Sequence, residues 1–131
     1  MPKGKIYVID DDEAMRDSLH FLLGAADFHV TLFESAHKFV DAISTVDFGC
    51  VASDVRMPGL TGLEILAGLR QANWSTAIVL MTAYPSPETR EEADRLGADA
   101  FFAKPFDIDD LMTAVVNMTR MPPKGRKDRY H

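Results

Sequence analysis

Five times along the chain, a short apolar run of strand type gives way to apolar residues at helical spacing. KIYVI comes first, followed by MRDSLHFLLGAA with Met15, Leu19, Leu22 and Ala26 one helical face apart, ended by GAAD. FHVTLF is the second strand candidate, and Ser35 suits the cap of a helix carrying Phe39, Val40 and Ile43. CVAS precedes the turn-rich DVRMPGLTG and the helix LEILAGLRQ, and AIVLM is the fourth run. Ser86-Pro87 has the N-cap and first-turn residues of a helix that stops at Gly97. ADAFFA is the fifth run; Asp107 with Asp110 then resembles an acidic capping box before LMTAVVNM.

Strands of nearly continuous apolar character, each followed by an amphipathic helix, require a parallel sheet covered on both faces. The expected fold class is therefore α/β, a doubly wound (βα)5 sheet. Right-handed crossovers leave few topologies, of which the flavodoxin-like order 2-1-3-4-5 is favoured. At 131 residues one such domain accounts for residues 1–119. No apolar run approaches the ~20 residues of a membrane helix, and MPKGKIYVID lacks the anatomy of a signal peptide. The lone Cys50, within an apolar run, reads as a small buried hydrophobe. A cytoplasmic location is expected. The net charge of −6 is uneven: RMPPKGRKDRYH, residues 120–131, carries +4 and leaves about −10 for the rest. The globular part is thus too acidic to bind nucleic acid by itself, and the Pro- and Gly-containing tail reads as a linker or terminus.

In doubly wound sheets the functional crevice lies at the carboxyl ends of the strands. Asp10 and Asp11 follow the first strand candidate, Asp54 the third, Thr82 the fourth and Lys104 the fifth. Each has an ordinary explanation as a cap, a turn or a solvated residue; their coincidence at neighbouring strand ends favours a site. Three ionised carboxylates beside one ammonium leave a formal −2 in a crevice of reduced dielectric. A divalent cation with hard oxygen ligands cancels that charge, and Mg2+, with Mn2+ as substitute, suits a partly open site that also receives a phosphate. Asp12 and Glu13 fit the first turn of the following helix, where negative charge complements the dipole. The alternative division, with Asp11 and Asp12 as the metal pair, is the weaker one.

The stretches VIDDDEAMR, VASDVRMPGLTGLEIL, VLMTAY and FFAKPF, in that order and spacing, resemble the receiver domains of two-component response regulators. SDVRMPGLTG and the chain as a whole are most similar to receivers of the FixJ/NarL type, which precede a DNA-binding helix-turn-helix domain. The resemblance implies that Asp54 accepts a phosphoryl group from a phosphohistidine of a sensor histidine kinase or phosphotransfer protein. It implies Mg2+ held by Asp11, Asp54, the carbonyl of Arg56 and, partly through water, Asp10. Lys104 and Thr82 would contact the phosphoryl group, small Ala83 would leave room for it, and the Lys104–Pro105 bond would be cis. Phe101 would turn inward with Thr82, reshaping the face made by the fourth helix, fifth strand and fifth helix, through which a homodimer can form. Tyrosine is commoner at that position; strand alternation alone would make one of Phe101 and Phe102 core and the other a surface cover. Charged PETREEADRLG reads as a solvated helix face or as a salt-bridged contact formed on activation. Arg56 and Tyr84 would flank the path of hydrolytic water and tune phosphate lifetime. Beyond its own phosphorylation and dephosphorylation no enzymatic activity is expected, and DNA would be reached only through an output domain outside this chain.

Three rival readings compete with this one. A flavodoxin-like cofactor binder needs a loop that welcomes phosphate after the first strand, whereas Asp-Asp-Asp-Glu repels it. A degenerate receiver serving as a constitutive docking module has no use for the acid cluster, whereas a stand-alone receiver whose output is a protein–protein contact stays open as an alternative. A hydrolase with an aspartate nucleophile lacks a visible general acid.

Overall fold

The computed structural model describes residues 4–42, 49–72 and 76–120. Five strands, β1 (Lys5–Ile9), β2 (His29–Phe33), β3 (Cys50–Asp54), β4 (Ile78–Thr82) and β5 (Ala100–Ala103), form one sheet. All neighbours pair in parallel in the order β2-β1-β3-β4-β5. The helices are α1 (Glu13–Ala25), α2 (Ala36–Ala42), α3 (Gly62–Gln71), α4 (Pro87–Leu96) and α5 (Ile108–Arg120). Ile43 and residues 121–131 of the basic tail lie outside the described residues. No helix among those described is long and apolar enough to cross a membrane.

Alternation along the strands divides the core in two. Tyr7, Ile9, Val51, Ile78 and Leu80 face Phe39 of α2, Leu66 and Leu69 of α3 and Ala93 of α4. Ile6, Val8, Cys50, Val79 and Met81 face Leu19 and Leu23 of α1 and Leu111 and Val115 of α5. The three central strands are buried along nearly their whole length, as continuous apolar runs require. Three details depart from the sequence expectation. On α1 the buried pair is Leu19 and Leu23, while Leu22 is only half-buried, because one residue is a turn of about 100° and shifts the stripe. Val40 is exposed beside fully buried Phe39. Phe101 and Phe102 are both half-buried, packed on opposite core clusters, since β5 is an edge strand with neither face fully covered.

The helix starts are chemically specified. Asp12 caps α1, accepting from the backbone N–H groups of Ala14 and Met15. Thr61 and Glu64 form a reciprocal capping box on α3 that the sequence reading missed. Ser86 caps α4 with Pro87 next, and the helix ends at Gly97 with φ 90°, a conformation glycine adopts freely. Ser35 Oγ accepts from Lys38 N at the start of α2. Before α5, Asp107 Oδ1 accepts from the N–H of Asp109, not from Asp110, whose N–H donates to the Asp107 carbonyl. Asp107 therefore caps this helix without forming the reciprocal box.

At the end of the sheet away from these caps, Arg70 donates to the carbonyls of Thr76 (3.0 Å) and Gly97 (2.8 Å) and meets Asp99 at 3.4 Å. Asp99 in turn accepts from Ile78 N–H at 2.9 Å. This largely buried pair ties the ends of α3 and α4 to the starts of β4 and β5.

Candidate phosphoacceptor site

The strands deliver chemistry to one end of the sheet. Asp10 and Lys104 directly follow β1 and β5, whereas Asp54 and Thr82 are the last residues of β3 and β4 themselves. The sheet hydrogen bonds run one step past these ends: Val55 N–H donates to Met81 O at 2.8 Å, and Lys104 N–H to Thr82 O at 2.7 Å. The backbones that carry the polar side chains are thus fixed by the ladder.

Asp10, Asp11 and Asp54 each offer a carboxylate oxygen, all within 4.8 Å of one another. Asp10 is fully buried, with Oδ1 accepting from Asp12 N–H at 3.0 Å and Oδ2 from Lys104 Nζ at 2.8 Å. Lys104 Nζ also lies 3.4 Å from Asp54 Oδ2. Asp54 Oδ1 accepts from Arg56 N–H at 3.3 Å, and Asp11 is exposed at the rim. The ammonium therefore spans two carboxylates and leaves the third open to solvent.

Burial is the main force raising the Asp54 carboxyl above the ordinary carboxylate range, and the charge of Asp10 pushes the same way. Lys104 and the Arg56 N–H oppose this without overcoming it. For Lys104, burial alone would lower the ammonium. The hydrogen bond to Asp10 and the charges of Asp10 and Asp54 outweigh burial and hold it above the ordinary lysine value. One cation does not balance this cluster. The chemistry of the donor set, three clustered hard oxygen ligands with an uncompensated negative charge, fits a divalent cation.

Around this centre, Thr82 is fully buried and its Oγ1 accepts from Tyr84 N–H at 3.0 Å. Ala83 and Tyr84 are exposed, and the Arg56 guanidinium lies 5.1 Å from the centroid of the Tyr84 ring. The Lys104–Pro105 peptide is cis. Phe101 lies farther off, on β5 beneath α4, with the Arg90 guanidinium 5.5 Å from its ring centroid. It lines an open groove of about 340 Å³ with Pro85, Ser86, Pro87 and Arg90. Every residue proposed from the sequence is thus within the described fold; all but Phe101 belong to the strand ends and loops at this one end of the sheet. Sequence reasoning missed Arg16, whose Nη1 donates to the Asp10 carbonyl at 2.8 Å. Its position one turn past the Asp12 cap was the available signal.

The family model for the response regulator receiver domain matches residues 6–116. Transcriptional regulatory protein FixJ of Bradyrhizobium diazoefficiens is 52% identical over 114 residues, covering 87% of this chain and 55% of that protein. DNA-binding transcriptional regulator NtrC of Klebsiella pneumoniae is 34% identical over 115 residues, covering 88% of this chain and 24% of the relative. Full-length FixJ from B. japonicum superposes with a TM-score of 0.85 at 48% identity, over 92% of this chain and 59% of that one. This chain therefore spans about half the length of FixJ. A match that runs through every strand and reaches into the last helix leaves one assignment: the chain belongs to the response regulator receiver domains of two-component signalling.

Proposed function

We propose that Asp54 is the phosphoacceptor of this receiver and that a phosphohistidine on a sensor histidine kinase or phosphotransfer protein is the donor. A carboxylate oxygen of Asp54 forms the new bond to phosphorus, and the bond from phosphorus to the imidazole nitrogen breaks. The electron pair returns to the imidazole. Asp11, Asp54 and the Arg56 carbonyl, with Asp10 behind them, are the groups suited to hold Mg2+, or Mn2+ in its place. When bound, the ion supplies neutralisation of the phosphoryl oxygens and alignment of the transfer. Lys104, already between Asp10 and Asp54, is positioned to follow the negative charge onto the phosphoryl group. Thr82 Oγ1 accepts from Tyr84 N–H and retains its own hydrogen to donate. Exposed Ala83 offers little steric obstruction.

The observation that carries this reading is the meeting of three carboxylates and one lysine at the ends of β1, β3 and β5. The test is labelling by acetyl phosphate with Mg2+: the wild-type chain takes up one phosphoryl group and Asp54→Asn takes up none. Stoichiometric labelling of Asp54→Asn would refute the assignment.

Output is proposed to pass through Thr82 and Phe101 to the face of α4, β5 and α5, where a phosphorylated homodimer forms. Half-buried Phe101 beside the open groove under α4 supports this, because it has room to move. The names of the relatives, transcriptional regulators of roughly twice this length or more, support control of transcription through an output domain outside this chain. A cytoplasmic location follows from the same proposal. A stand-alone receiver that acts by protein docking is the second reading, separated from the first by the reading frame beyond His131.

A further inference from the structure

We infer that Arg16 is a positioning residue for the metal site, acting on Asp11 through the peptide bond that joins Asp10 to Asp11. The inference rests on the phosphoacceptor reading above and assigns a role to a residue that reading does not use.

The backbone of Asp10 is held on two sides: its N–H donates to Phe33 O at 3.1 Å, and its carbonyl accepts from Arg16 Nη1 at 2.8 Å. Arg16 is itself fixed by its place in the first turns of α1, where its N–H donates to Asp12 O at 3.0 Å. The peptide unit is planar, so fixing the Asp10 carbonyl fixes the Asp11 N–H and Cα. The following peptide is held where Asp12 N–H donates to Asp10 Oδ1 at 3.0 Å, and the two planes together set the direction in which the Asp11 side chain leaves the chain. Asp11 needs that help. Asp10 is anchored through both carboxylate oxygens and Asp54 through Arg56 N–H and Lys104. No hydrogen bond or ion pair with a described residue fixes the exposed carboxylate of Asp11.

The choice of contact is also informative. Lys104 offsets the acid cluster by occupying carboxylate oxygens, which a cation must share. Arg16 brings a guanidinium to the same turn and spends it on a backbone carbonyl, leaving the Asp11 oxygens open. It forms no ion pair with a described carboxylate; the Glu34 carboxyl just past β2 is held below its ordinary value chiefly by the hydrogen bond and charge of Lys38, with the charge of Arg16 a lesser contribution.

Two roles for Arg16 predict opposite signs. If the guanidinium were only a nearby positive charge, its removal would strengthen Mg2+ binding. If it positions Asp11, removal weakens binding even though the chain gains net negative charge. Partners that orient metal ligands are commonly worth 10–100-fold in affinity. The experiment is calorimetric titration of Mg2+ into the wild type, Arg16→Met, Arg16→Lys and Asp11→Asn. Arg16→Met keeps the aliphatic stem and loses the donor; about tenfold weaker binding is expected, with Arg16→Lys recovering most of it. Unchanged or tighter binding by folded Arg16→Met overturns the inference. If Arg16→Met does not fold, Arg16→Gln, too short to reach the carbonyl, carries the same comparison. Failure of the underlying reading looks different: the wild type would not bind Mg2+, or Asp11→Asn would bind it as well as the wild type.

Discussion

Lys104 and Asp10 are 94 positions apart in sequence, and their charged groups meet at 2.8 Å with Asp10 completely buried. Removing one partner of such a pair leaves a charge without compensation in a medium that solvates it poorly. Lys104→Met should therefore lose about 3 kcal/mol of stability, measured by urea unfolding with chelator present. Adding Mg2+ should return part of the loss, because a cation at the carboxylates replaces the missing positive charge. Equal losses with and without Mg2+ would separate Lys104 from the metal site.

Asp54 gives a prediction of the opposite sign. Its carboxyl is raised above the ordinary 3.8, so the folded chain binds this proton more tightly than the unfolded chain does. The stabilising contribution is fully present below the ordinary value and is lost as pH rises through the raised one. At neutral pH without metal, the folded state therefore carries the penalty of an ionised Asp54. Asp54→Asn removes it and should melt a few degrees higher at pH 7 in chelator, with the difference vanishing near pH 3. Thermal melts across that range check the sign.

The strand-end residues were legible in the sequence because a parallel sheet sends its carboxyl ends to one side, so Asp10, Asp54, Thr82 and Lys104 needed only strand order to be brought together. The division of the acidic run was legible as well: Asp12 is free to cap α1 because its position is next along the chain, and Asp10 turns inward to Lys104. What escaped depends on side-chain reach, not on period. Arg16 touches a carbonyl six residues back, and Arg70 joins Gly97 and Asp99 across 27 and 29 positions. Neither contact leaves a trace in hydrophobic spacing. Phe101 and Phe102 misled because alternation assumes one covered and one open face, whereas the edge strand β5 half-covers both.

Gly62, the first residue of α3, packs against the backbone of Asp54. A Cβ there would lie 2.4 Å from the Asp54 carbonyl oxygen, while the Gly62 N–H donates to Val55 O at 2.9 Å. Gly62→Ala must push α3 and the end of β3 apart. The expected loss is about 1–3 kcal/mol, as for other overpacked positions. Slower labelling by acetyl phosphate should accompany it, since Asp54 moves with its backbone. Urea unfolding and labelling rates on one preparation test both parts; normal stability and normal rate would show that the helix start absorbs the methyl group.

Arg56 and Tyr84 meet from neighbouring loops, one two residues past Asp54 and the other two past Thr82. The backbone N–H of Arg56 donates to Asp54 and that of Tyr84 to Thr82, so both side chains start from fixed points. The guanidinium then sits 5.1 Å from the ring centroid, a cation–π contact of about 0.5–1 kcal/mol at an exposed position. Tyr84 is 66% exposed, so its ring is not locked into the core. Were Asp54 to carry an acyl phosphate, a stacked pair there would obstruct water on its way to it. Tyr84→Ala should shorten the phosphate half-life several-fold, and Arg56→Ala should shorten it in the same direction. Because the two side chains act as one stack, the double variant should lose little beyond the greater single effect. Phosphate half-lives of the four proteins, measured after removal of acetyl phosphate, decide the matter; an unchanged half-life in Tyr84→Ala removes the shielding role, and strictly additive effects remove the stack.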